Sequence, residues 1–133
     1  MYSLVPVGYV RSPFKEAEEA PRQGRDAGVE VTIEVEPAFV EALAGIEESA
    51  RLQIACWLHL AARDRLRVHP RGDPGTPRKG VFATRSPLRP NPIAVYTADL
   101  IEVKENTLRV RGIDAVDGTP VVDIKPHAPR LDD

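Results

Sequence analysis

The residues best suited to binding a ligand or taking part in a reaction lie in the sequence TRSPLRPNPIA at positions 84–94. Three prolines and two arginines occupy the eight residues 85–92. Each proline restricts the residue before it to an extended conformation, so this segment is stiff before any ligand binds. The planar guanidinium of Arg85 suits a carboxylate or a phosphate, and Asn91 can both donate and accept hydrogen bonds. The pattern predicts a rigid binding loop, and the alternative is that the prolines only stiffen a connection between solvated arginines.

Strand-like runs flank this loop and must position it. Apolar and polar residues alternate along GVEVTIEV, which predicts a half-buried strand at 28–35. The sequence KEN at 104–106 indicates a hairpin turn. Other runs rich in apolar residues predict further strands at 4–10, 51–61, 80–84, 93–103, 107–113 and 120–126.

One helix is predicted, with Pro37 at its first position and Gly45 near its end. The polar segments 11–27 and 63–79 are predicted to be surface loops, with a ragged edge strand as the alternative for the second. Strands that follow one another through short turns favour an antiparallel barrel or sandwich. We therefore expect a mainly β protein, a small antiparallel β-barrel of about seven strands with one short helix.

The composition of the 133 residues narrows the classes of function. Apolar residues make up 42% of the chain and the formal net charge is -2, so the whole chain has no bias toward nucleic acid or membrane. Basic residues nevertheless outnumber acidic ones within 63–79, which predicts a local basic patch. Cys56 is the only cysteine, which excludes an intramolecular disulfide and favours a reducing cytoplasm. We expect neither a signal peptide nor a membrane span.

Two long motifs resemble a known family. The sequences GVFATRSPLRPNPIA at 80–94 and DAVDGTPVVDIKPH at 114–127 are similar to the signature of the tRNA-methyltransferase O family, also called the TsaA-like domain. VGYVRSPFKE at 7–16 and PRQG at 21–24 resemble its other blocks, in the same order. Larger bacterial members carry an additional C-terminal domain, and this chain stops where that domain would begin. We therefore expect 1–133 to be a single TsaA-like barrel domain.

The resemblance implies an activity, a cofactor and partners. The expected protein is a cytoplasmic homodimer that binds S-adenosyl-L-methionine near the subunit interface. It is expected to transfer the methyl group to N6 of the threonylcarbamoyl-adenosine next to the anticodon of certain tRNAs. A glycine-rich turn between a strand and a helix is absent from the sequence, so a doubly wound methyltransferase fold is not indicated.

The same resemblance implies a set of cofactor-binding residues. Arg85 or Arg22 could hold the carboxylate of the cofactor as a bidentate pair. Asp114 or Asp117 could accept hydrogen bonds from the ribose hydroxyls or the ammonium group, and Gly118 would allow close approach of the backbone. The full set is Pro21, Arg22, Gln23, His59, Leu60, Arg85, Val95, Asp114, Asp117, Gly118 and Thr119.

Methyl transfer from a sulfonium needs positioning more than it needs a nucleophilic side chain. Asn91 is our candidate for accepting a hydrogen bond from the acceptor nitrogen or for orienting the base. His59 and His127 are candidate proton acceptors near neutral pH, and a turn-forming Asn91 or a core histidine is the alternative. No metal is expected. The basic residues assigned to the tRNA substrate are Arg89, Arg78, Lys79 and Lys125, with a solvated loop or an ion pair to Asp123 as the alternatives.

Two positions depart from the family pattern. Ala94 stands where the family usually has glycine, and His127 stands where it usually has an aromatic residue. Two other hypotheses therefore stay open. One is a barrel that binds S-adenosylmethionine or RNA without this catalysis, and the other is a divergent methyltransferase with another acceptor.

Overall fold

The structure is a computed structural model, and it describes residues 1–15 and 28–132, with side chains up to residue 130. Six strands form a closed antiparallel barrel in the order β1-β2-β7-β6-β3-β8, and β4 pairs with β5 in a separate two-stranded sheet. The strands are β1 Gly8–Arg11, β2 Glu30–Val35, β3 Arg51–Trp57, β4 Arg67–Val68, β5 Lys79–Gly80, β6 Ile93–Lys104, β7 Thr107–Arg111 and β8 Pro120–Pro126. The predicted mainly β barrel is confirmed.

Alternation along the strands fills the barrel with aliphatic side chains. In β3, Leu52, Ile54 and Cys56 are fully buried, and the residues between them face outward. Side chains of a strand point alternately to opposite faces, so one face of each strand supplies the core. The core residues are Val10, Val31, Ile33, Val35, Leu52, Ile54, Cys56, Ala98, Leu108, Val110, Ile113, Ala115 and Val121.

The barrel closes where β1 pairs with β8, through Gly8 opposite Val121 and Tyr9 opposite Pro120. Gly8 also lies against β2, where a Cβ atom would stand 2.5 Å from the carbonyl oxygen of Glu34. Such a contact is far too short, so only glycine allows β1 and β2 to approach this closely at this position.

Two predicted elements differ from the structure. The predicted helix is a 3-10 helix over Pro37–Leu43, followed by Gly45 with φ of 87°. The predicted strand 80–84 is wrong, because β5 ends at Gly80 and Val81–Ala83 is a 3-10 turn. Only Val81 of that turn is buried, so the apolar run anchors a loop rather than extending a sheet.

The ends of the chain and of β3 also differ from the prediction. β1 begins at Gly8 rather than at residue 4, and β3 ends at Trp57, so His59 and Leu60 lie beyond the strand. The C-terminal residues Pro129–Asp132 form a short α-helix, α1. In the part of the chain that the structure describes, no helix is long and apolar enough to cross a membrane.

Candidate functional site

The loop 84–92 joins a 3-10 turn to the start of β6 and is held by its own side chains. The Thr84 hydroxyl donates to the Val81 carbonyl oxygen at 3.0 Å and accepts from the Ser86 amide at 3.2 Å. The Ser86 hydroxyl in turn accepts from the Leu88 amide at 3.1 Å. Local hydrogen bonds of this kind fix turns, and they add to the stiffness that the prolines impose.

Arg89 forms hydrogen bonds within this loop. Its Nη1 donates to the carbonyl oxygens of Thr84, at 3.1 Å, and Ser86, at 2.9 Å. The guanidinium therefore ties the first residues of the loop to Arg89. A contact between Arg89 and tRNA stays a prediction, and it would use the guanidinium nitrogens that the loop leaves unoccupied.

Arg85 lies in the same loop, but unlike that of Arg89 its side chain forms no hydrogen bonds within it. Its side chain is exposed, and it makes no hydrogen bond or ion pair with residues 1–15 or 28–132. A rigid backbone therefore exposes a guanidinium that has no hydrogen bond or ion pair with the described residues. This arrangement suits an anionic ligand group such as a carboxylate.

Asn91 is exposed but is held by Arg63. Arg63 Nε donates to the Pro90 carbonyl oxygen at 2.7 Å, and its Nη2 donates to Asn91 Oδ1 at 3.2 Å. The guanidinium carbon also lies 4.9 Å from the centre of the Trp57 ring, a cation–π contact. Arg63 thus ties the loop to the end of β3. The sequence indicated only a basic segment here, and nothing in it singled out Arg63.

An apolar surface continues from Asn91 along the outside of the barrel. β3 and β6 place Ala55 opposite Val95 and Trp57 opposite Ile93, all on the outward face. We call these four residues the outer apolar strip. Ile93 is 42% exposed and Val95 is 49% exposed, which is unusual for a sheet surface that faces water. Of the predicted cofactor-binding residues, Val95 lies in this strip, and His59 and Leu60 follow β3 at the same end and are exposed.

Ionisable groups also meet inside the barrel near the start of β6. Burial raises the pKa of Asp114, and a hydrogen bond from the Tyr96 hydroxyl opposes the shift. Burial, with the nearby Asp114 carboxylate, raises the pKa of the Cys56 thiol to about 12 and also raises the pKa of Tyr96. Cys56 is therefore an uncharged core thiol rather than a nucleophile. Asp114 is a half-buried carboxylate with acceptor capacity for a ligand.

Ala94 faces this interior rather than the loop surface. It lies opposite the buried Cys56, so the two side chains share the inner face of the sheet. The extra methyl group at this departure from the family pattern therefore points into the barrel and away from the outer apolar strip.

Asp117, Gly118 and Thr119 connect the segment before β8 to β1. Asp117 Oδ1 accepts from the Ser12 amide at 3.0 Å, and Oδ2 pairs with Lys15 at 3.1 Å, so both contacts lower the pKa of Asp117. Gly118 has φ of 85° and donates to the Val10 carbonyl oxygen at 2.7 Å. Thr119 is fully buried, and its hydroxyl donates within its own loop. Each has a structural contact here, and a role in cofactor binding stays a prediction.

The remaining predicted residues are spread over the molecule. Pro21, Arg22 and Gln23 lie outside the described residues. Arg78 and Lys79 are exposed beside and in β5. Lys125 lies on the outside of β8 and pairs with Asp123 at 2.8 Å, which raises the pKa of Lys125.

Two further observations limit where a ligand could bind. A cavity of about 480 Å³ lies beside β1 and β2, and Asp117 is the one predicted site residue among the described residues that line it. Its charged side chains are already in ion pairs, as in the 2.9 Å bond from Arg109 to Glu30. Among the residues that the structure describes, no group of three or more His, Cys, Asp or Glu side chains could hold a metal ion.

A closed antiparallel barrel of six strands, with a rigid arginine–proline loop before its longest strand, places the chain in the class of small β-barrel domains. The sequence model of the tRNA-methyltransferase O N-terminal domain matches residues 9–133. The chain belongs to the tRNA-methyltransferase O N-terminal domain family.

Named relatives and solved structures agree with this assignment. The chain is 48% identical over 127 residues to a probable S-adenosyl-L-methionine-binding protein of Methanothermobacter thermautotrophicus, covering 96% of this chain and 90% of that protein. It is 44% identical over 129 residues to an S-adenosyl-L-methionine-binding protein of Archaeoglobus fulgidus, covering 97% and 91% of the two chains. A crystal structure of TrmO from Pseudomonas aeruginosa superposes with a TM-score of 0.80 at 38% identity. That match covers 99% of this chain and 58% of the Pseudomonas chain.

Proposed function

We propose that this protein is an S-adenosyl-L-methionine-dependent methyltransferase that modifies N6 of threonylcarbamoyl-adenosine next to the anticodon of tRNA. The observation that carries the proposal is the rigid loop 84–92, which leaves Arg85 unpartnered within the described chain and holds Asn91 at the surface. Membership of the tRNA-methyltransferase O family supports the reaction class. The names of the relatives support the cofactor.

The residues present fit such a cofactor. Its carboxylate needs a cation, and Arg85 offers a guanidinium with no partner among the described residues. Its ammonium and ribose hydroxyls need acceptors, and Asp114 offers a half-buried carboxylate. When bound, the cofactor supplies a methyl group on a positively charged sulfur. The protein contributes orientation and exclusion of water, which suits a site whose loop is already ordered.

A homodimer in the cytoplasm is part of this proposal. The outer apolar strip leaves Ile93 and Val95 about half exposed beside Asn91, and Leu60 is 63% exposed nearby. A second copy that covered the strip would bury this surface and shield the cofactor from water. The uncharged, buried Cys56 thiol is compatible with a reducing compartment.

The basic segment offers a surface for the tRNA backbone. Lys79 is exposed on the two-stranded sheet of β4 and β5, and Arg78 is exposed directly before it. Their charges would neutralise phosphates, so tRNA affinity would fall with increasing salt. Arg89 and Lys125 are further proposed contacts.

The test is methyl transfer from labelled S-adenosylmethionine to bulk tRNA with or without the threonylcarbamoyl modification. Label in the modified tRNA alone is the expected result. Replacement of Arg85 by alanine is expected to weaken cofactor binding by about 10-fold to 100-fold, the loss of a charge-assisted hydrogen bond pair. Cofactor binding by calorimetry with no label in any RNA would contradict the proposal. It would favour the second candidate, a binding barrel without this catalysis, which the unusual residues Ala94 and His127 suggest.

A further inference from the structure

Arg63 makes three contacts, two with the loop 84–92 and one with Trp57 at the end of β3. Its Nε and Nη2 donate to the Pro90 carbonyl oxygen and to Asn91 Oδ1, and its guanidinium lies over the Trp57 ring. Trp57 ends β3, and Pro90 and Asn91 lie just before β6. One side chain in the turn after β3 therefore links Trp57 to a loop 27 to 28 residues further along the chain. A guanidinium that stacks on one face and forms hydrogen bonds along its edge has little freedom to rotate.

These contacts determine which way the Asn91 amide points. Arginine has only hydrogen-bond donors, so the Asn91 atom that faces Arg63 must be its carbonyl oxygen. The amide nitrogen, with two donor hydrogens, is then on the far side and faces solvent. A hydrogen bond from a cation also polarises the amide, which weakens the oxygen as an acceptor and strengthens the nitrogen as a donor.

We propose that Arg63 is a positioning residue that fixes Asn91 as a hydrogen-bond donor toward the substrate. This inference rests on the proposed function and specifies the role of Asn91 within it. The sequence suggested that Asn91 either accepts a hydrogen bond from the reacting nitrogen or orients the base, and the bond from Arg63 to its oxygen favours the second role. The group that Asn91 contacts is an acceptor oxygen, a carbonyl or carboxylate of the modified base, and the adjacent positive charge favours the carboxylate.

The decisive variant is Asn91→Asp. A carboxylate at this position can still pair with Arg63, but it has no donor and carries a charge that repels a substrate carboxylate. Transfer to modified tRNA is expected to fall by about 100-fold, while the contacts of Arg63 remain. Transfer at the wild-type rate would overturn the proposal, because an aspartate would serve equally well if the position acted as an acceptor.

Two spectroscopic measurements test the positioning itself without cofactor or RNA. Trp57 is the only tryptophan, so its emission reports directly on the guanidinium above the ring. Arg63→Ala is expected to shift that emission and to move the side-chain amide resonances of Asn91 toward solvent-exposed values. Asn91→Asp is expected to leave the Trp57 emission close to wild type. Unchanged emission and unchanged amide resonances in Arg63→Ala would refute the positioning role.

Arg65→Ala is the matched control. Arg65 is an exposed arginine two residues away whose ion pair is with Asp64, at 3.5 Å, and not with the loop. Its replacement removes the same charge and is expected to leave Trp57 emission and the Asn91 resonances unchanged. For transfer, Arg63→Ala is expected to lower kcat by about tenfold, and Arg65→Ala to act only on KM for tRNA. Equal changes in kcat from the two variants would show that charge alone matters and would overturn the proposal.

Failure of the proposed function is distinguishable from failure of this inference. If the wild-type protein labels no RNA, the methyltransferase proposal fails, and the emission and amide resonances still decide whether Arg63 orients Asn91. If the wild-type protein labels modified tRNA but Arg63→Ala transfers normally, the function stands and the inference fails.

Discussion

Replacement of Arg89 separates the construction of the loop from the binding of a ligand. Arg89 donates two hydrogen bonds to carbonyl oxygens of its own loop, at 2.9 and 3.1 Å, and its side chain is half-buried. Arg89→Met keeps much of the aliphatic stem and removes both donors. At about 1 kcal/mol for each half-exposed hydrogen bond, we expect a loss of about 2 kcal/mol in the free energy of unfolding. For a domain of this length that is a decrease of about 7 °C in Tm.

The matched variant is Arg85→Ala, because Arg85 lies in the same loop without a described partner. Its Tm is expected to stay within about 1 °C of wild type, since surface substitutions away from specific contacts are close to neutral. Calorimetry of unfolding and of S-adenosylmethionine binding measures both effects. Arg85→Ala is expected to weaken binding directly, and Arg89→Met to weaken it only as far as the loop loosens. A Tm unchanged in Arg89→Met would refute the assignment of Arg89 to the loop.

The remaining predictions concern the interior. Ile54 is fully buried at the centre of β3, opposite Tyr96 and Ile124, so Ile54→Ala is expected to lower the free energy of unfolding by about 3–4 kcal/mol, and Ile54→Val by about 1 kcal/mol. Denaturant unfolding checks this series, and equal losses from the two variants would contradict the packing. Because burial raises the pKa of Cys56 to about 12, the native thiol should resist a thiol-specific reagent at pH 8 and react once the protein unfolds. Rapid labelling of the native protein would show that Cys56 is accessible. The raised pKa of Asp114 means that folding disfavours its charged form. The contribution of Asp114 to the free energy of unfolding is therefore favourable at low pH and is lost as the pH rises through the pKa of the folded state. Asp114→Asn should therefore gain stability relative to wild type between pH 4 and pH 7 while binding the cofactor less tightly, and a relative loss of stability over that range would reverse the sign of this argument.

Sequence patterning was sufficient for the barrel strands because their alternation has a two-residue period. Four of them, β2, β6, β7 and β8, lie within a few residues of the predicted ranges. The strand prediction was wrong where an apolar residue anchors a turn instead of lying in a strand. Val81 is buried to anchor a turn, although Phe82 beside it is 85% exposed, and a run of apolar letters does not distinguish these cases.

The candidate site was predictable only in part. Proline spacing and side-chain chemistry pointed to Arg85 and Asn91, and both are exposed on a rigid loop. The role of Arg89 was not predictable, because its partners are backbone carbonyl oxygens, which every residue possesses. Arg63 was also missed as an individual residue. Its contact with Asn91 spans 28 positions and depends on the path of the turn after β3.

The closure between β1 and β8 determines where the barrel is weakest. That ladder joins only two residue pairs, whereas β3 and β6 are joined by seven. Pro120 has no amide hydrogen to contribute, and the seam is supplemented by bonds between Val10 and the segment Gly118 and Thr119. Under an opening fluctuation the barrel should therefore unzip here first and become an open curved sheet. Native-state hydrogen exchange would detect this as seam-facing amides of Val7 and Val10 that exchange well before the amides of β3, without global unfolding.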